Sequence, residues 1–297
     1  MRMKHNNYLV AVFLIMLSVV SVMGRELIEE EVKHAHVGNF ALPVSQQPAP
    51  FIGFGENVID KGDTLFGFRG QQLKGTRVNF VDAIPSFIYG ITDKFSVFIE
   101  LPIAVKFRLD DARSHGFEDM FVQFERLLYS KETTKAATEM TFVANVGLPT
   151  GSAFKAPPTG FGGPTLFFGI TASHTNFDWY VFGSSGVVLS PTYKNNNKFG
   201  NQVLYEGGLS RNISYKTDKW ILNWIIEFDG RYFQRDTVAG RIDPNSGFNT
   251  LLLGPSLWFS TQHLILQVGF SGVVSEFVFG CQLKDKYYIA ADIFWKM

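Results

Sequence analysis

Between Phe95 and Phe107 every odd position is apolar: Phe95, Val97, Ile99, Leu101, Ile103, Val105 and Phe107. The even positions are Ser96, Phe98, Glu100, Pro102, Ala104 and Lys106. A period of two sends the odd set to one face of a β-strand. The run is far longer than the roughly 5–6 residues usual for a strand. Greasy on one face and mixed on the other, it suits a wall with unlike solvents on its two sides. The pattern recurs. Met140, Phe142, Ala144 and Val146 alternate with Glu139, Thr141 and Asn145, and Trp220, Leu222, Trp224, Ile226 and Phe228 with Asn223, Glu227 and Asp229.

Extended to the whole chain, the alternation predicts about twelve strands, with boundaries good to about two to four residues. They fall at 62–70, 76–90, 94–107, 116–128, 137–147, 161–173, 176–190, 201–215, 219–231, 247–260, 262–272 and 285–297. The phase of the second slips near Val81 and Asp82, as at a bulge. Ten or fourteen strands result if that slip or the stretch after 272 is read differently. Residues 25–60 stand apart, with Glu26, Glu29, Glu30 and Glu31 at their start and Gln46-Gln47-Pro48-Ala49-Pro50 further on. Such a segment propagates neither a helix nor a central strand. It is expected to be an irregular periplasmic extension, with a plug in the barrel lumen as the alternative.

Alternation alone does not say which face points inward, because a soluble sandwich shows the same period. Three features favour apolar side chains outside. Connections after even strands are mostly short, with 129–136 as the exception, while most of those after odd strands are long; bacterial outer-membrane barrels have short periplasmic turns and long outer loops. Trp179, Trp220, Trp258 and Trp295, joined by Tyr89, Tyr129 and Tyr215, fall near strand ends of one common level. Amphipathic rings favour the lipid headgroup zone, so the four tryptophans are read as an aromatic girdle. Finally, Tyr287, Ile289, Ala291, Ile293, Trp295 and Met297 alternate up to the last residue. Terminal strands of this kind engage the barrel-assembly machinery. They usually finish in Phe or Trp, so Met297 departs from the pattern and Trp295 is the candidate for that role. The fold class expected is therefore all-β: a transmembrane, antiparallel, up-and-down β-barrel over 61–297.

The start of the chain agrees with export. Arg2, Lys4 and His5 precede an apolar run from Tyr8 to Met23, and Ser21, Val22 and Gly24 offer small residues for cleavage. Residues 1–24 read as a signal peptide, with an uncleaved anchor as the alternative. No later stretch reaches about 18 uncharged apolar residues, so no further transmembrane helix is expected. Thirty Phe and 28 Gly at 18% charged residues fit many strands, tight turns and an apolar surrounding. Lys plus Arg equal Asp plus Glu at 27 each, which argues against a nucleic-acid partner. Cys281 is the only cysteine, so neither an intrachain disulfide nor a cysteine-built metal site can form.

With the apolar set outward, the lumen receives Glu100, Lys106, Asp119, Glu125, Glu139, Asn145, Glu206, Asn223, Glu227, Asp229 and Asp292, with Gln123, Asp178 and Gln267. Arg69, Arg77 and Arg231 add positive charge nearer the outer mouth. Such side chains either line a weakly cation-preferring path or fill the bore with a salt-bridge mesh. Catalytic chemistry finds little support. Lipid hydrolysis needs a serine activated by a histidine, and none of His34, His36, His115, His174 or His263 pairs with a serine on one strand face. His34 and His36 with Glu30 and Glu31 fall short of a metal site as a solvated tail would. Gly160-Phe161-Gly162-Gly163 lacks the following Lys-Ser/Thr and helix of a phosphate loop. No enzyme activity, cofactor or metal is expected.

The text Pro85-Ser86-Phe87-Ile88-Tyr89-Gly90-Ile91-Thr92-Asp93-Lys94, then Glu100-Leu101-Pro102, and later Val146-Gly147-Leu148-Pro149-Thr150-Gly151, resembles the outer-membrane family linked to the meta-pathway of phenol degradation. These are mainly turn and strand-end signals. The resemblance, covering most of 61–297, implies a transporter-like barrel that passes hydrophobic or aromatic compounds, and it carries no catalytic residues. The function expected is an outer-membrane channel or passive transporter for small solutes, with lipid and the assembly machinery as partners. A structural or surface-recognition barrel with loops 148–160 and 232–246 is the alternative, and a soluble periplasmic β-protein the third.

Overall fold

The computed structural model describes residues 36–193 and 196–297. The expected signal peptide and the acidic start of the following segment, His34 included, lie outside these residues. Fourteen paired strand pieces close as twelve barrel strands, because two strands are each interrupted. In chain order they are β1 (Thr64–Gly75), β2 (Val78–Thr92), β3 (Phe95–Glu100 and Ile103–Leu109), β4 (Ala112–Phe117 and Met120–Thr133), β5 (Ala136–Leu148) and β6 (Thr165–Asn176). There follow β7 (Trp179–Leu189), β8 (Gln202–Lys216), β9 (Trp220–Phe233), β10 (Phe248–Thr261), β11 (Leu264–Val278) and β12 (Asp285–Lys296). Each pairs antiparallel with its neighbours in sequence, and β1 pairs with β12 from Leu65↔Lys296 to Gly75↔Asp285. That last ladder closes the barrel.

Short turns at 93–94, 134–135, 177–178, 217–219 and 262–263 gather at one end, the turn end. The 129–136 exception disappears, since β4 runs to Thr133 and β5 begins at Ala136. The opposite, loop end carries 149–164, 190–201, 234–247 and 279–284. Two of these loops knit together: Thr192–Tyr193, Asn197–Lys198, Thr237–Val238 and Arg241–Ile242 form a four-stranded sheet of their own. The Gly200 N–H donates to Asp236 Oδ1 (2.7 Å) and the Ala239 N–H to Asn197 Oδ1 (2.7 Å) at its edge. Burial pushes the Asp236 carboxyl above its usual range; the Gly200 N–H pulls it back in part, and Asp243 adds to the rise.

The long alternating run does not keep one phase. Pro102 offers no N–H, so the ladder stops at Leu101-Pro102 and β3 falls into two pieces. The Leu101 N–H turns to Pro85 O (3.1 Å), and the Glu118 N–H to Pro102 O (3.0 Å) across the matching break in β4. A bulge between Ala104 and Phe107 then reverses the alternation. Phe107 turns inward against Phe80 (4.7 Å between ring centres), while Lys106 is exposed and leaves the face it was expected to share with Ser96 and Glu100.

Elsewhere the two faces separate as the period demands. Phe68, Ile170, Ile226, Phe228, Leu257 and Val268 are exposed on the outside. Their neighbours Thr171, Glu227, Ser256 and Gln267 are buried inside. The segment expected to extend away from the barrel does not. From Val37 it runs through the interior, where the backbone donors of an irregular segment meet side-chain acceptors in place of water. It carries two short 3₁₀ turns, Gly38–Phe40 and Val44–Gln46. An apolar layer of Ile59, Leu65, Ile88, Ile225, Trp258 and Ile265 packs toward the turn end, and Phe51, Leu252, Tyr288 and Ala290 pack above it.

Strand glycines make room for this plug. A Cβ on Gly269 would lie 2.3 Å from the Phe51 ring, and one on Gly169 2.5 Å from the Phe54 ring. A strand glycine marks a place where another part of the chain comes close. At Gly272, on the same strand as Gly269, a Cβ meets nothing within 4 Å. Gly269→Val should therefore destabilise the folded barrel by about 1–3 kcal/mol through overpacking, lowering its melting temperature in detergent, whereas Gly272→Val should leave it near wild type. Equal effects of the two would contradict the packing described.

Candidate functional site

The interior surface of the barrel is the site, and carboxylates dominate it. Glu125 (β4), Glu206 (β8), Glu227 and Asp229 (β9) and Asp292 (β12) are all buried on inward faces. Glu139 and Asn145 share the inward face of β5 with Thr141, and Asn223 is fully buried on β9. Glu100 pairs in register with Phe121 and keeps the parity of Ser96, opposite Glu125. These positions were legible because every one follows the period of its strand.

Five of the buried carboxylates, Glu125, Glu206, Glu227, Asp229 and Asp292, have specific partners. Arg69 on β1 forks onto Asp292, with Nε to Oδ1 and Nη2 to Oδ2 both at 2.7 Å. Arg231 reaches Asp229 two residues back on β9 (Nε to Oδ2, 2.8 Å). Removing one partner of a largely buried pair such as Arg69–Asp292 costs on the order of 3–5 kcal/mol. The glutamates are answered by the plug. Glu227 Oε1 accepts the Phe51 N–H (2.7 Å), Glu206 Oε2 the Phe54 N–H (3.0 Å), and Glu125 both the backbone N–H (2.9 Å) and side-chain amide (2.6 Å) of Asn57. Ser96 Oγ accepts the Ile59 N–H (3.0 Å), Thr171 Oγ1 donates to Phe54 O (3.0 Å), and Arg69 Nη2 donates to Phe51 O (2.9 Å). Asn39 Oδ1 accepts from Asn223 Nδ2 (2.8 Å). The mesh expected as one alternative is present, and the plug backbone supplies much of it.

The plug is also tied to the closing seam. Lys296 of β12 pairs with Asp63, and its Nζ donates to Ser45 Oγ (3.0 Å). The Gly90 N–H donates to Asp63 O (3.1 Å) and the Gly62 N–H to Gly90 O (2.8 Å), so the plug ends docked on β2.

Three more expected residues sit otherwise, the first being Asp178, which is exposed in the turn 177–178. Asp119 lies at the break in β4, where its carboxylate accepts the Gly151 and Phe161 N–H groups (2.9 and 2.7 Å) and fastens loop 149–164. Trp258 leaves the girdle. It is 5% exposed and directly opposite Gln267, so cross-strand parity places it inside, against Ile59 and Leu65. Trp179 and Trp295 are exposed near the turn end as expected, and Trp220 begins β9 at that end. His36 meets Asp218 (2.9 Å) on the exposed surface, and among the described residues no group of ligands fits a metal ion. Sequence reasoning offered the plug only as the alternative for residues 25–60 and did not identify it as the main partner of the bore. The available signal was glycine at inward positions, Gly169 and Gly269, beside an irregular segment with little charge.

The fold and its interior define a closed twelve-strand antiparallel barrel with a polar, partly plugged bore. A solved structure with this fold is the COG4313 outer membrane channel from Pseudomonas putida F1, at a TM-score of 0.69 and 11% identity, covering 83% of this chain and 100% of that one. LpxR from Salmonella typhimurium gives 0.44 at 10% identity, over 79% and 99% of the two chains. The toluene transporter TodX of Pseudomonas putida gives 0.36 at 9%, over 91% and 99%. The first shares the fold; the other two are too distant for argument. No family model matches the sequence, and no curated protein matches it either.

Removing the caps should free the plug. Each hydrogen bond to a charged group is worth about 1.5–3 kcal/mol, so Glu206→Ala with Glu227→Ala should favour plug opening by about 3 kcal/mol. Chymotrypsin should then cut at Phe51 and Phe54 roughly a hundredfold faster than in the wild type while the barrel stays closed. An unchanged cleavage rate would show that the glutamates do not hold the plug.

Proposed function

We propose that the chain is a bacterial outer-membrane β-barrel that works as a channel or passive transporter for small solutes, hydrophobic or aromatic ones included. The observation that carries this reading is the reversal of faces: apolar outside, charged and hydrogen-bonded inside, with the ladder closed at β1 and β12. Hydrocarbon tolerates strands only when every backbone group is paired, which a closed barrel achieves. A soluble barrel would put its apolar set inside. The fold shared with the COG4313 outer membrane channel supports the assignment.

In this reading the turn end faces the periplasm and the loop end faces outward. Export would use residues 1–24 as a signal peptide, and the β12 strand would engage the assembly machinery. The interior carboxylates outnumber the two arginines paired with them, which favours cations weakly over anions.

Two observations favour a surface-recognition barrel without transport. The plug occupies the bore, and the knitted loop sheet exposes Val238 and Ile242. Planar-bilayer recording separates the two. The channel reading expects small, weakly cation-selective currents from purified barrel, and uptake of a small aromatic solute into liposomes carrying it. Absence of both current and uptake would leave the recognition reading.

A further inference from the structure

The outer wall is not alike on all sides near the loop end. On β7, β8, β9 and β11 it is apolar up to the loops, with Leu189, Val203, Tyr232 and Val274 exposed. On β1 to β4 it turns basic. Register carries one row across these four strands: Lys74 stands opposite Asn79, Asn79 opposite Arg108, and Arg108 opposite Arg113. The row faces outward. Lys74 keeps the parity of exposed Phe66 and Phe68, and Arg113 alternates with buried Ser114, the register partner of inward Phe107. Lys106 joins from the next row toward the turn end. It stands opposite Val81, and the bulge before Phe107 leaves it exposed beside Val105.

The protein leaves these cations without counter-charges. Among the described residues no carboxylate pairs with Lys74, Lys106, Arg108 or Arg113. In the turn that joins β3 and β4, Asp110 is taken by Arg77, and Asp111 is exposed at the tip. Arg108 donates its Nε to Asp110 O (3.0 Å), which occupies one edge of the guanidinium. Between Lys74 and Arg108 an amide pair fills the wall, with Gln72 Nε2 donating to Asn79 Oδ1 (2.5 Å). Like charges directly opposite each other destabilise a sheet, and Arg108 and Arg113 are such a pair. A phosphate held by both would turn the repulsion into attraction, since the guanidinium fork fits its oxygens two at a time.

The surroundings say which phosphate. Three strand spacings, about 14 Å, separate Lys74 from Arg113, room for a headgroup with more than one phosphate. Toward the turn end the basic rows give way to an apolar shelf. Val105 and Phe117 are each 57% exposed there, and Phe117 stands opposite Ile103. Cations nearer the loops and apolar side chains below them repeat the order of groups in a lipid, phosphates first and acyl chains beneath. A soluble anion would use only the first half. We propose that the outer wall of β1 to β4 seats a phosphorylated outer-leaflet lipid of lipid A type. Its phosphates lie on Lys74, Lys106, Arg108 and Arg113, and its acyl chains against Val105 and Phe117. The proposal goes beyond transport, and it rests on the reading that the loop end faces outward from the outer membrane.

Native mass spectrometry of the purified barrel in detergent tests it, with lipid A, dephosphorylated lipid A and phosphatidylglycerol as probes and inorganic phosphate as competitor. Lipid A should bind at least tenfold tighter than either other lipid, and inorganic phosphate should not displace it. Arg108→Gln with Arg113→Gln should weaken lipid A binding at least tenfold. Lys131→Gln with Lys135→Gln, at residues exposed near the turn end, should leave it unchanged. Heat-modifiable gel migration reads closure of each variant, and if the arginine pair does not close, Lys74→Gln with Lys106→Gln carries the test. Equal binding of either other lipid, displacement by inorganic phosphate, or equal weakening in the turn-end variant overturns the lipid seat. Orientation is read separately, by labelling Cys281, exposed in the loop 279–284, on intact cells with a membrane-impermeant maleimide. Cys281 labelled without preference for lipid A sinks the seat and leaves the membrane reading. Cys281 labelled only after lysis sinks that orientation, and the seat with it, even where lipid A binds in detergent.

Discussion

Everything in this molecule depends on the ladder between β1 and β12. An antiparallel sheet left open has two edges of unpaired N–H and C=O groups, which an apolar surrounding penalises heavily. Pairing from Leu65↔Lys296 to Gly75↔Asp285 removes both edges. It also brings Arg69 to Asp292 and carries Lys296 to Asp63 and Ser45. Closure of the wall and docking of the plug therefore share residues.

The interior then becomes a problem of charge. A bore with this many carboxylates would repel itself if it were empty and dry. Two arginines answer two of the aspartates, and plug N–H groups answer Glu125, Glu206 and Glu227. An irregular segment suits this role because it spends none of those N–H groups on a helix or a ladder of its own. Its aromatic rings, Phe51 and Phe54, settle over glycines of the wall, and Phe54 meets Phe167 edge-on at 4.6 Å.

Much of this architecture is written in the period of two. Alternation placed Glu227, Asp229 and Asn223 inside and Trp220 outside, and the parity of connections gave the two ends of the barrel. What alternation could not show is where a strand loses step. Pro102 and the bulge before Phe107 reverse the phase, and Lys106 changes face as a result. Trp258 shows a second limit, since depth along a strand does not fix a side: its parity with Ser256 and Ser260 overrides the level it shares with the other tryptophans. The plug was hardest to read, because a segment without a period gains its place from acceptors on four separate strands, Ser96, Glu125, Glu206 and Glu227, rather than from its own pattern.

Trp258 and Trp295 therefore offer the sharpest check on which solvent lies on which side. Two proteins would each keep one of them, with the other four tryptophans replaced by phenylalanine, in bilayers containing lipids brominated along their acyl chains. Bromine quenches rings that touch lipid. Strong quenching of Trp295 with little or none of Trp258 is the result expected of an apolar wall around a polar, plugged bore. Trp258 quenched as strongly as Trp295 would contradict it.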